Sequence, residues 1–176
     1  MSVHQIVIGG TMSGKTTLLR SKARAARYAL RRKVLVCDPN LEPGWPADWI
    51  TDDPDAMLAK MQASSGCVGI LEEGASYLTN TAQAMKYRWM VMRARHLGHK
   101  SIISAVKGAL IPPVYRQNVG QVELFNCTPM EAELWADEFN DPALLAAVHL
   151  PRFQFLRKIR FQSVTRHETV PFGKAA

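Results

Sequence analysis

Gly9-Gly10-Thr11-Met12-Ser13-Gly14-Lys15-Thr16 fits the pattern G-x-x-x-x-G-K-[ST]. The chemistry of such a run is phosphate binding. Its glycines let the backbone curl so that successive N–H groups face a β-phosphate, and a helix beginning at once adds partial positive charge behind them. Lys15 would bridge the β- and γ-phosphates of ATP as a point charge. Thr16 would place its hydroxyl on Mg2+, with Thr17 continuing the same turn. With Gly at about 7% of residues, a full match in a strand–turn–helix setting arises by chance in under ~1% of chains this long.

Such a loop needs an acidic companion, because Mg2+ takes carboxylate in its coordination sphere and an attacking water must be oriented. Glu72-Glu73 supplies two carboxylates at the end of the apolar run Cys67-Val68-Gly69-Ile70-Leu71. Side chains alternate along a strand, so the two acids point apart. We assign Glu72 to the metal, through water, and Glu73 to polarising the attacking water. The converse assignment would exchange the effects of substituting them.

The elements that must position these groups follow from periodicity. His4-Gln5-Ile6-Val7-Ile8, stopped by Gly9-Gly10, reads as a buried strand of the parallel kind. From Lys15 to about Arg32 a helix is predicted, with Leu19, Ala23, Ala26 and Leu30 on its packed side and Arg20, Arg24, Arg27 and Arg31 forming a cationic stripe. Val34-Leu35-Val36-Cys37 is the next strand. Residues 41–54, with three prolines, form a loop, and Asp55–Gln62 a short helix. Residues 67–71 are the third strand. A long helix is predicted over Thr81–Leu97, with Met85, Trp89 and Met92 at i, i+4, i+7 and Gly98 as its stop. Ser101–Val106 and Gln121–Phe125 are further strands, and Thr128 caps a helix containing Glu131. The mixed aromatic, β-branched and basic segment Phe153–Val170 suits a short hairpin at the sheet edge. The expectation is an α/β fold with a central, mainly parallel sheet flanked by helices, in a single domain over 1–176. Its core spans 3–126, and a C-terminal helix and hairpin fill 127–176.

Composition bounds the rest. The chain has 176 residues and a formal charge of +7, with 47% hydrophobic and 21% charged residues, which excludes a disordered tail or a coiled coil. Excess positive charge suits an anionic partner. The cysteines Cys37, Cys67 and Cys127 form no C-x-x-C pair, so neither a zinc ribbon nor a disulfide framework is expected. No apolar run approaches the ~18 residues that span a bilayer. A soluble, intracellular, non-secreted protein is expected.

The run Ile6–Thr17, the strand ending Val36-Cys37-Asp38-Pro39-Asn40-Leu41-Glu42, and Ile70-Leu71-Glu72-Glu73 resemble the corresponding segments of the FtsK/HerA superfamily of DNA-pumping ATPases. The resemblance covers most of residues 3–126, including Arg93-Ala94-Arg95-His96-Leu97-Gly98 and Pro112–Phe125. The small size resembles the genome-packaging ATPases of tailless, often membrane-containing icosahedral viruses. The family implies a RecA-like P-loop fold, ATP and Mg2+, and a ring, usually a hexamer, that threads DNA. It also implies work beside capsid-vertex or membrane proteins, in the host cytoplasm or at a virion's packaging vertex. The neighbouring subunit completes each active site with an arginine, for which Arg116 is the first candidate and Arg95 and Arg93 follow. The family often carries Gln at the end of the fourth strand. Here Ser104-Ala105-Val106-Lys107 stands there, and Ser104 or Lys107 must substitute for the polar sensor.

A rival resemblance is to thymidine kinases of the cellular and poxviral type, through Gly10–Leu19 and Lys33–Val36. Against it, the chain lacks the cysteine pairs of their zinc lasso, and its acids lead into Gly74-Ala75-Ser76. A P-loop binding module without hydrolysis is the third possibility. Of the remaining residues, the arginine stripe with Arg32 and Lys33 reads first as a solvated face. Met85, Trp89, Met90 and Met92 read as core or subunit interface, and Trp45 and Trp49 as cover for the core.

Overall fold

The computed structural model describes residues 3–78 and 81–169. Each apolar run read as a strand forms one: β1 (Gln5–Ile8), β2 (Val34–Cys37), β4 (Val68–Leu71), β5 (Lys100–Ala105) and β6 (Gln121–Phe125). The hairpin is β7 (Gln154–Ile159) with β8 (Thr165–Glu168). Val170, where the expected hairpin ends, lies outside the described residues. An unexpected strand, β3 (Trp49–Thr51), pairs parallel with β2. Among the described residues one sheet forms in the order β3-β2-β4-β5-β1-β6-β7-β8. It is parallel from β3 to β6 and antiparallel at β6–β7 and β7–β8.

Strand alternation divides the core into two layers. Val7, Val34, Val36, Ile70 and Ile102 pack beneath Leu18, Leu19, Ala23 and Ala26 of the helix that follows β1. Ile6, Ile8, Leu35, Ile103, Val122 and Leu124 face the opposite layer with Trp135, Phe139 and Leu144. Each fully buried aliphatic side chain contributes about 1.5–3 kcal/mol. Glu123 falls on the first face, fully buried, and is neutralised by Lys22 at 2.7 Å and Arg157 at 2.9 Å.

The helix after the P-loop ends earlier than its pattern suggests. Helix α1 (Lys15–Arg24) widens into a π turn over Ala25–Ala29, with Leu30 N–H donating to Ala25 O, and Arg31 is left-handed at φ 52°. Leu30, expected to pack, is exposed. Part of the arginine stripe is structural. Arg20 pairs with Glu42, Arg27 with Asp48, and the Arg32 guanidinium caps the carbonyls of Gly66, Cys67 and Gly98.

Helix α2 (Pro54–Gln62) starts at the Asp53 cap. The long helix expected over 81–97 is three pieces: α3 (Thr81–Tyr87), α4 (Trp89–Met92) and a 3-10 turn over Ala94–Leu97 that Gly98 ends at φ 74°. Its inward face is Ala84, Tyr87, Met90, Val91 and Ala94, whereas Met85 and Met92 are exposed and Trp89 half-buried. Met90 is buried as its type suggests, and Trp89 packs against the core, while the inward positions Ala84 and Val91 lie one residue before Met85 and Met92. Helix α5 (Pro113–Asn118) precedes β6. Thr128 caps α6 (Pro129–Phe139) by accepting from the Glu131 N–H, as its sequence predicts.

Candidate active site

The P-loop leaves the carboxyl end of β1, where the chain departs for β2 on one side of it while β6 lies on the other. Crevices for ligands lie at such switch points. Met12 takes a left-handed φ of 61°, and Gly14 a φ of 108°, just before α1 begins. Gly9 and Gly14 are required sterically. A Cβ on Gly9 would lie 2.6 Å from the Phe125 Cβ, and one on Gly14 2.7 Å from the Thr169 Oγ1. The first N–H groups of α1 have no acceptor within their own helix. They and the helix dipole therefore face the site.

Lys15 Nζ donates to Gly9 O at 2.7 Å and Gly10 O at 3.0 Å. Burial holds its pKa below the usual lysine value, while Glu72 and Glu73 draw it back up. Both acids are thus within electrostatic reach of the lysine. Thr16 Oγ1 donates to Glu72 Oε1 at 2.7 Å, which ties the first turn of α1 to the end of β4 across the intervening β5.

The two acids both lie in the turn after β4 and differ in burial, although strand alternation ends at Leu71. Glu72 is buried and its N–H extends the ladder to Cys37 O. Burial pushes its carboxyl up to about 7; Asp38 and Glu42 add to the shift, and Thr16 and Lys15 oppose it. Glu72 Oε2 is buried without a hydrogen-bond partner. A threonine hydroxyl on one carboxylate oxygen and an unsatisfied second oxygen fit a divalent cation, which would satisfy that oxygen and return the carboxyl to its charged form. Glu73 is exposed, with a left-handed φ of 48° that costs a non-glycine residue about 1 kcal/mol or more. Its N–H donates to Ser104 Oγ at 3.1 Å, so the buried end of β5 fixes this turn. Gly74 permits the close approach, since a Cβ there would meet Ile103 at 2.5 Å.

Val106 is exposed at the end of β5, and Ser104 is the polar residue of that segment in contact with the acidic turn. The arginine candidates divide. Arg116 is held on its own chain, donating to Gly108 O and Ile111 O and pairing with Glu138 at 3.5 Å. Arg93 and Arg95 are exposed, next to the turn that leads into the amino end of β5. That end is opposite the one that bears the P-loop.

Two contributors carry no role in the sequence reading, and a third, Ser104, is named there only as a substitute sensor. Asp38, buried at the end of β2, accepts from the Trp45 indole at 2.9 Å and adds negative charge beside Glu72. An acid directly after an apolar strand was its signal, the same one that marks Glu72. Ser104 was signalled by its polarity near the end of the fourth strand, but not as the acceptor that holds the Glu73 turn. The C-terminal hairpin, expected only to edge the sheet, roofs the loop. Thr169 and Phe153 abut Gly14, and Arg152 Nε donates to Met12 O at 3.0 Å.

No protein-family model and no curated protein matches this chain. Solved structures do. The genome packaging NTPase B204 of Sulfolobus turreted icosahedral virus 2, in complex with AMPPCP, aligns with a TM-score of 0.77 at 16% identity, over 96% of this chain and 98% of that one. The pCW3 conjugation coupling protein TcpA, with ATPγS, gives 0.73 at 13% identity over 97% of this chain and 61% of that one. The cytoplasmic domain of the Thermomonospora curvata type VII secretion ATPase EccC gives 0.72 at 15%, over 98% and 26%. At these identities the likeness is one of fold, a RecA-like P-loop architecture with a mainly parallel sheet and a C-terminal hairpin. It agrees with the FtsK/HerA resemblance carried by the motifs.

Proposed function

We propose that this protein is a Mg2+-dependent ATPase that uses hydrolysis to translocate DNA, packaging a viral genome into a preformed capsid. The observation that carries the proposal is the Thr16–Glu72 contact, which joins the phosphate-binding turn to an acidic strand end and leaves one carboxylate oxygen unsatisfied. The fold shared with a viral genome packaging NTPase supports the choice of DNA and capsid as partners.

In this reading the loop of Gly9, Gly10, Thr11, Met12, Ser13 and Gly14 wraps the β-phosphate. Lys15 releases its two carbonyls to bridge β- and γ-oxygens. Thr16 and Glu72 would hold Mg2+, the acid through water, and the ion would supply positive charge against the phosphates. Glu73, outside the buried shell, receives a proton from the attacking water, and Ser104 holds its backbone in place. A neighbouring subunit of a ring, a hexamer by family resemblance, supplies an arginine to the γ-phosphate. Arg93 and Arg95 reach outward without breaking a contact, whereas Arg116 must first leave Glu138. The chain acts at the packaging vertex of a virion or in the host cytoplasm, beside capsid or membrane proteins. Among the described residues no helix is long and apolar enough to cross a membrane.

The test is steady-state ATP hydrolysis with and without double-stranded DNA, at low and moderate salt, with thymidine as a parallel acceptor. Stimulation by DNA that fades with salt is expected, since phosphate contacts release counterions. Phosphate transfer to thymidine with indifference to DNA would overturn the proposal in favour of a nucleoside kinase.

A further inference from the structure

Ion pairs absorb only part of the arginine stripe of α1, and the remainder gathers at one place. The π turn over Ala25–Ala29 and the residues after it bring Arg27, Tyr28, Arg31, Arg32 and Lys33 around a hollow of about 240 Å³, in which Asp48 is the acid. Two of these cations are tied down. Arg27 Nη1 donates to Ala47 O at 2.6 Å and its Nη2 pairs with Asp48 at 3.3 Å, while Arg32 spans Gly66 O and Cys67 O at 2.7 and 2.9 Å. Asp48 is taken up by Arg27 and by the Val34 N–H. Arg31 and Lys33 are exposed, and their side chains have no hydrogen-bond or ion-pair partner among the described residues.

Arg31 is also strained. Its φ of 52° is one that glycine adopts freely and arginine does not. A guanidinium kept where glycine would fit the backbone better points to a side chain held for binding. Positive charge also accumulates behind the hollow. The Lys100 N–H and Arg32 Nη2 share Cys67 O as acceptor, and the Lys100 ammonium is lowered to about 8, by burial first and then by Lys22, Arg32 and Arg157, with Glu123 opposing. The hollow is smaller than the ~300 Å³ or more of small-molecule pockets, and its lining offers no apolar floor for a base or an acyl chain. It admits phosphate groups, which a guanidinium binds through two parallel N–H donors and a lysine binds as a point charge. With Asp48 engaged, its free groups are donors, which suit phosphate oxygens rather than the mixed pattern of a base edge.

We infer that this hollow is a contact site for the phosphodiester backbone of duplex DNA, with Arg31 and Lys33 as the residues that grip it. The inference rests on the proposal that the protein acts on DNA, and adds where on the chain the DNA lies. The hollow sits at the amino ends of β2, β4 and β5, where Val34, Val68 and Lys100 are in register, away from the P-loop. Helix α1 joins the two places, since it begins at Lys15 in the phosphate-binding turn and leads at its other end into the hollow.

Binding of a fluorescent DNA duplex is followed by anisotropy across a salt series for the wild type and for the double variant Arg31→Gly, Lys33→Gln. A control, Lys60→Gln with Arg88→Gln, removes the same charge from exposed side chains on the opposite layer. Each lost phosphate contact should cost about eightfold at ~0.1 M salt and lower the slope of log affinity against log salt by about one. The double variant should therefore bind roughly thirty- to hundredfold more weakly, with a slope lower by about two, equally on duplexes of different sequence, while the control changes by less than about threefold. Glycine suits φ 52°, so the double variant should melt no lower than the wild type, and lost binding is then not lost folding. A comparable loss in the control would overturn the inference by tracing binding to net charge, and unchanged binding in the double variant would overturn it by placing the DNA elsewhere. Both results leave the DNA-translocating reading standing, whereas a wild type that binds no duplex overturns that reading too. Vesicles of equal parts phosphatidylserine and phosphatidylcholine form the second arm. Capture of the wild type but not of the double variant, with duplex binding unaffected, would overturn the inference by making lipid headgroups the anionic partner.

Discussion

Replacing Glu72 by Gln should stabilise the metal-free protein at alkaline pH, although it removes a residue assigned to the active site. The Glu72 carboxyl is raised from 4.5 to about 7, chiefly by burial. An acid whose folded-state pKa exceeds its unfolded value favours folding in its protonated form. The group is therefore neutral toward stability below about pH 4.5, becomes a penalty as pH rises to about 7, and costs a constant amount above that. A shift of this size corresponds to about 3 kcal/mol at pH 8. Gln keeps an acceptor for the Thr16 hydroxyl but puts an amide N–H2 where Oε2 lacks a partner, which costs about 1 kcal/mol or more. The net gain is about 2 kcal/mol, or ~4–8 °C in Tm for a domain this size. Thermal denaturation of both proteins in chelator, without nucleotide, at pH 5 and pH 8 checks it. The variant should melt higher at pH 8 and no higher at pH 5. A difference independent of pH, or a wild type that is the more stable at pH 8, would refute the assignment of a buried carboxyl whose charged form is disfavoured.

Gly14→Ala should lower Tm and abolish nucleotide binding, because φ 108° and a Cβ 2.7 Å from Thr169 Oγ1 are both incompatible with a side chain; a loss of about 1–3 kcal/mol is expected in denaturant unfolding. Ser104→Ala removes the acceptor of the Glu73 N–H, and should slow turnover while leaving ATPγS affinity within about twofold, since it loosens the turn that bears the proposed base and leaves the phosphate-binding loop intact. Arg116→Ala should destabilise the isolated chain by about 1 kcal/mol through loss of the half-buried Glu138 pair. Arg93→Ala and Arg95→Ala, on exposed side chains, should leave Tm unchanged, so that any loss of hydrolysis they cause, rescued by mixing with a Lys15→Ala chain, reads as action in trans.

Local features of the fold were legible before the coordinates. The strand, the glycine-rich turn and the first turns of α1 are contiguous, and each apolar strand announced itself by a run bounded with breakers. What failed was decided by tertiary contact. Trp49-Ile50-Thr51 is too short to signal a strand among prolines, and only the edge of β2 makes it one. On α3 and α4 Met90 is buried and Trp89 packs on the core as their types suggest, whereas Met85 and Met92 are exposed because the layer below takes Ala84, Tyr87, Val91 and Ala94 instead. At the site, Lys15, Thr16 and Glu72 were named from type and spacing. Ser104 was named only as an alternative to Lys107, and the roof of Arg152 and Phe153 was not named, since Arg152 meets Met12 across 140 residues of chain and no local pattern encodes that meeting.

The central claim, that this P-loop and the two following acids hydrolyse ATP in divided roles, is tested most directly by Glu73→Gln. ATPγS affinity and steady-state ATP hydrolysis are measured together for the wild type, Glu73→Gln and Lys15→Ala. The account predicts that Glu73→Gln binds as the wild type does while turnover falls by about a hundredfold or more, the scale of a lost general base, and that Lys15→Ala loses turnover altogether. Normal turnover by Glu73→Gln would contradict it.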